Sequence, residues 1–141
     1  MSNMADLRWP QGTSGPRALV ECENPAIQDG LTRVLREHGY TVAVCEGPQA
    51  RAARTCPLVV DGACGLVDGA DVVVHALDAT EPAHQTILSS IREHVPETPV
   101  VVEVGPTDVA QSADVVAGCE QVRYPIDRQA LIDAVDRATR R

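Results

Sequence analysis

Short aliphatic runs alternate with amphipathic stretches from residue 17 to the end of the chain. Ala18-Leu19-Val20 reads as a first strand. Asn24 and Pro25 then open a helix whose apolar positions Ile27, Leu31, Val34 and Leu35 share one face, and Gly39 stops it. Thr41-Val42-Ala43-Val44 is a second strand, and Gly47-Pro48 opens a short Ala/Arg-rich helix reaching about Thr55. A loop is expected from Cys56 to Gly69. Val72-Val73-Val74-His75-Ala76-Leu77 is almost wholly apolar, the mark of a central parallel strand covered on both faces. Pro82 begins a helix with Ala83, Ile87, Leu88, Ile91 and Val95 inward. Pro99-Val100-Val101-Val102 is the fourth strand. Thr107 caps a helix using Val109, Ala113, Val116 and Ala117, and Gln121-Val122-Arg123-Tyr124 is a short fifth strand. Asp127 caps a last helix carrying Leu131, Ala134, Val135 and Ala138.

Five strand-helix units in succession predict a three-layer α/β fold. Right-handed crossovers wind the strands into a doubly wound, five-stranded parallel sheet of order 2-1-3-4-5, the flavodoxin-like arrangement. Functional groups then gather at the carboxyl ends of the strands. Residues 17–141 form this domain. Residues 1–16, rich in Ser, Asn, Gln, Gly and Pro, read as a flexible arm whose Trp9 packs loosely on the domain rather than contacting a partner.

Composition narrows the function. The 141 residues suit one domain, and the core must be aliphatic because the chain has one Trp, two Tyr and no Phe. A net charge of −8 disfavours direct contact with nucleic acid or an anionic membrane. All 12 basic residues are Arg, which excludes chemistry that needs lysine. No apolar run approaches membrane-spanning length, and the start lacks a signal-peptide pattern. A cytoplasmic location follows as the expectation, with the five cysteines reduced.

Three segments resemble the receiver (CheY-like) domain of bacterial response regulators, over roughly residues 17 to 140. They are Arg17-Ala18-Leu19-Val20-Glu21-Cys22-Glu23-Asn24-Pro25 with the helix ending His38-Gly39-Tyr40; Asp71-Val72-Val73-Val74 with Thr98-Pro99-Val100-Val101-Val102; and Ala117-Gly118-Cys119 with Arg123-Tyr124-Pro125-Ile126-Asp127. The resemblance implies a signalling domain of two-component systems that works by protein contact rather than turnover. It also implies an acidic pair for Mg²⁺, a phosphorylated Asp, a Ser/Thr and a Lys. This chain aligns Cys22 and Glu23 with the acidic pair, and Val104 or Gly105 with the hydroxyl residue. Tyr124 aligns with the lysine. The acceptor position falls on Ala76 by gapless counting from Asp71, or on Asp78 by counting back from Pro82. Phosphoryl transfer needs a cation and positive groups around the equatorial oxygens. The expectation is an atypical, pseudo-receiver domain without standard aspartyl phosphorylation, meeting a partner protein or itself. A phospho-receiver acting through Asp78 is the lesser alternative.

Other candidates are set beside this reading. Glu21, Glu23 and Asp78 either meet at the sheet edge and hold a cation such as Mg²⁺, or Glu21 faces outward and Asp78 caps a loop. No other cofactor is expected. Cys22 and Cys45 end adjacent strands and either approach each other or act as small core hydrophobes. Cys56 and Cys64 frame a short loop and are either reduced thiols, a redox-sensitive or disulfide-forming pair, or part of a metal cluster. A redox or metal sensor built on them is the alternative function. His38 suits its helix end, His75 a hydrogen-bonded core position, and His84 a contact with Asp78. The resemblance further implies a contact face of the fourth helix, fifth strand and fifth helix, here including Val109, Val116, Tyr124 and Ala130.

Overall fold

A computed structural model of the chain describes residues 9–10, 12, 15–45, 56, 62, 64–78, 81–105 and 116–140. Among these, five strands and four helices follow in the order β1 (Arg17–Glu21), α1 (Pro25–Glu37), β2 (Thr41–Cys45), α2 (Gly65–Asp68), β3 (Val72–His75), α3 (Pro82–His94), β4 (Val100–Val104), β5 (Glu120–Arg123) and α4 (Arg128–Thr139). All strand pairs are parallel and the sheet order is β2-β1-β3-β4-β5. This is the fold class that the alternation of patterns predicts. The expected helix after Gly47 and the one containing Val109 lie outside the described residues, apart from the end of the latter at Val116.

Local chemistry sets the helix ends. The Asn24 side chain accepts from the N–H groups of Ala26 and Ile27, at 2.9 and 3.2 Å, ahead of Pro25. Gly39 leaves α1 with φ +96°, a conformation that a Cβ would oppose. Asp127 caps α4 by accepting from the Ala130 N–H at 2.8 Å. One expected loop position is instead helical: Gly65–Asp68 forms a single turn that buries Leu66 and Val67.

The two-residue period of the strands divides the core. Leu19, Val73 and Val102 point to the layer of α2 and α3, where they join Leu66, Ile87, Leu88 and Ile91. Ala18, Val20, Val72, Val74 and Val101 point to the layer of α1 and α4, where they meet Leu31, Leu35, Leu131 and Val135. β3 is buried along its whole length, as its run of valines requires.

Trp9 packs more tightly than the loose contact expected of it. It is only 7% exposed and belongs to the α2/α3 core layer. Its indole N–H donates to the Leu66 carbonyl at 2.9 Å, and the Arg17 guanidinium lies 5.5 Å from its ring centre. Gly69 makes room for it: a Cβ there would stand 2.6 Å from Trp9 Cδ1. A scarcity of aromatics makes this single indole a large part of the local packing.

Candidate functional site

The carboxyl edge of the sheet is where β1, β3 and β4 deliver their last side chains. β1 runs one residue beyond the expected strand, so Glu21 is a strand residue and follows the strand's alternation. Leu19 faces the α2/α3 layer, hence Glu21 does too. In the parallel register Glu21 stands beside His75 of β3. The result is a buried pair: Glu21 Oε1 lies 2.7 Å from His75 Nδ1, with the residues 4% and 0% exposed. His75 Nε2 is also buried and has no hydrogen-bond partner among the described residues. The alternative in which Glu21 faces outward is therefore corrected. His75 is the hydrogen-bonded core residue that its strand position suggested.

A second histidine–carboxylate pair sits nearer the rim. His84, in the first turn of α3, places Nε2 2.7 Å from Glu23 Oε1 and Nδ1 3.0 Å from the backbone carbonyl of Asp78. His84 thus reaches Asp78 through its backbone. Asp78 is exposed, and its carbonyl also accepts from the Glu81 N–H at 3.1 Å in the turn that starts α3.

Glu21 turns inward to one histidine and Glu23 turns to another. Among the described residues no three His, Cys, Asp or Glu side chains are grouped to hold a metal ion. Glu21, Glu23 and Asp78 form no such group among the described residues. At the end of β3 the position facing the edge is Ala76, half-buried against the α1/α4 layer.

Cys22 and Cys45 do not approach each other. Cys22 lies in the α1/α4 layer, whereas Cys45 packs against the α2/α3 layer, so the sheet stands between them. The Cys22 thiol donates to the Asn24 carbonyl at 3.5 Å. Burial pushes its pKa up, and the negative charges of Glu103 and Glu23 add to the rise against the lowering hydrogen bond. A thiol held protonated is a poor nucleophile and a poor metal ligand. Neither Cys56 nor Cys64 is in a disulfide, and both are half-buried against the α2/α3 layer. Both pack as small side chains against that layer.

Of the expected contact face, Val116 is 2% exposed and packs in the core, so it is withdrawn from the surface. Its place at the close of a helix turns it toward Val102 and Val104 in that layer. Val109 lies outside the described residues. Tyr124 is 49% exposed and Ala130 is half-buried. His38 ends α1 and pairs with Asp136 of α4 at 2.9 Å.

One residue of the edge escaped the sequence reading. Glu103 of β4 shares the face of Val101 and points into the α1/α4 layer. Its Oε2 is buried without a hydrogen-bond partner among the described residues, and burial raises its pKa. The signal was present as a lone acid in the run Val100-Val101-Val102-Glu103-Val104.

Comparison with solved structures agrees with this architecture. A response regulator receiver domain protein from Clostridium thermocellum superposes with a TM-score of 0.67 at 20% identity, covering 89% of this chain and 94% of that one. The receiver domain of NtrX from Brucella abortus gives 0.67 at 18% identity, over 87% and 98%. A putative pilus assembly-related protein from Burkholderia pseudomallei gives 0.68 at 22% identity, over 89% and 90%. The chain has the receiver fold. No protein-family model and no curated protein matches the sequence. Glu21, His75 and Ala76 lie at the carboxyl edge of this sheet, where the two histidine–carboxylate pairs are found.

Proposed function

We propose that this receiver-like chain is a signalling module that works by contact with another protein or with a second copy, without the standard aspartyl phosphorylation. The observation that carries the reading is the pairing of Glu21 with His75 and of Glu23 with His84. Phosphoryl transfer to a carboxylate asks for a bound cation, an acceptor acid and cationic groups around it. Here the acids are taken up by histidines, the strand end offers Ala76, and the chain has no lysine. The likeness in fold to receiver domains supports a signalling role over turnover. The half-exposed ring of Tyr124, with Ala130 near it in sequence at the start of α4, supports a contact face on that side. A net charge of −8 favours a protein partner over nucleic acid or an anionic membrane. No described helix is long and apolar enough to cross a membrane.

The test is incubation with acetyl phosphate and Mg²⁺, read by intact mass. The expected result is an unmodified chain. A stable phosphoryl adduct that disappears in Asp78→Asn would overturn the proposal and make Asp78 the acceptor.

A further inference from the structure

A groove on the opposite face of the sheet has the makings of a ligand site. It runs between α1 and the connection from β5 to α4, with a volume of about 320 Å³. That is the size of a small-ligand pocket. Ile27 and Leu31 form one wall, Ile126 and Leu131 the other, and Glu103 lies among the lining residues. The remaining charged groups of the lining are already engaged. Asp127 caps α4 through the Ala130 N–H, and Arg128 pairs with Glu37. Glu103 alone has a buried carboxyl oxygen with nothing to bond. Such a group is costly to leave unpaired, and a cation that also covers apolar walls would relieve that cost.

Gly30 supplies a second observation. It lies inside α1, where glycine is an unfavourable choice, and it lines the same groove. A Cβ at this position would meet nothing within 4 Å, so packing does not demand the glycine. Its lack of a side chain keeps the wall low and the groove open.

We propose that this groove binds a small organic amine, its ammonium group on the Glu103 carboxylate and its apolar body between α1 and the 124–131 segment. The groove lies on the other face of the sheet from the two histidine–carboxylate pairs, and the 124–131 segment beside it includes Tyr124 and Ala130 of the contact face proposed above.

The probe is phenethylammonium, titrated into the full chain and followed by ¹H–¹⁵N NMR, with 2-phenylethanol as the neutral counterpart. Saturable one-to-one binding is expected, with shifts confined to α1, the end of β4 and residues 124–131. Glu103→Gln keeps the shape and removes the charge. It should weaken the amine by roughly tenfold or more and leave the alcohol unaffected. Gly30→Leu, which keeps Glu103 and favours the helix, should block the amine by filling the groove. An undisturbed spectrum away from the groove shows that each variant is folded. Absence of saturation in the wild type, shifts centred elsewhere, or equal amine binding by Glu103→Gln would each overturn the proposal.

Discussion

The two faces of the sheet treat a buried acid in opposite ways. On the α2/α3 side Glu21 meets His75 at 2.7 Å, and the pair is sealed by the aliphatic residues around it. On the α1/α4 side Glu103 is half-buried beside a groove, and its buried Oε2 has no partner among the described residues. Both residues sit at the carboxyl ends of strands, and both follow strictly from the two-residue alternation. The difference lies in the neighbouring strand. Beside Glu21 the register brings a histidine, and beside Glu103 it brings Val122. A satisfied acid stabilises the edge as built, whereas an unsatisfied one weakens it and leaves chemistry available to a ligand.

The largest effect should come from breaking the paired side. His75→Leu leaves the Glu21 carboxylate buried without a partner, at a cost of about 3–5 kcal/mol. Urea denaturation should show this as a lowered midpoint with an unchanged slope. The double variant Glu21→Leu/His75→Leu removes both polar groups and should recover most of that loss, since apolar replacement of a buried pair is often neutral. A single variant as stable as the wild type would mean that the pair contributes nothing.

The unpaired side should respond in the other direction. Glu103→Leu removes an unsatisfied group and should stabilise the fold by about 1–3 kcal/mol near neutral pH. The gain depends on pH in a determined sense. Burial raises the pKa of Glu103 in the folded chain above its ordinary carboxylate value. Between those two values the native state holds a proton that the unfolded chain has released. Stability therefore falls as pH rises through that interval, and the full penalty stands above it. Comparison of Glu103→Gln with the wild type should show no difference of this origin at low pH and a widening one above. A difference that narrows as pH rises would reverse the assignment.

Gly30→Ala sharpens the comparison from the groove side. A Cβ meets open space there, so the variant should be more stable by about 0.5–1 kcal/mol in thermal or urea unfolding. Destabilisation would show that the glycine serves packing and not the groove.

Much of this was legible in the sequence, and the rest was not, for physical reasons. Aliphatic runs and helical periodicity carry the fold because burial acts on each element separately. Strand ends are different: Glu21 and Glu103 sit where an apolar run gives way to a charge, so pattern reading stops the strand just short of them. One residue of strand length then decides whether a carboxylate points into a core layer or away from it. Pairings such as Glu21 with His75, 54 positions apart, depend on register and have no local signature. The partners of Trp9 were not legible because a polar, Pro-rich surrounding carries no sign of a side chain that docks on Leu66 and Gly69 far along the chain. Cys22 and Cys45 end neighbouring strands and still lie on opposite faces, which only the register could reveal.

The smallest effect belongs to the rim pair, and it separates rim from interior on the same face. Glu23 is half-exposed, while His84 is nearly buried. Water already solvates the free side of Glu23, so the pair gains little over its hydrated parts. Glu23→Gln retains an oxygen that can accept from His84 Nε2 and loses only the charge. The expected loss is about 0.2–1 kcal/mol at low ionic strength, shrinking as salt screens the wild-type pair. His75→Leu should be far less sensitive to salt, because its carboxylate partner is shielded from mobile ions. Equal salt dependence of the two variants would place Glu21 in contact with solvent, and the distinction between a sealed and an open histidine–carboxylate pair would fail.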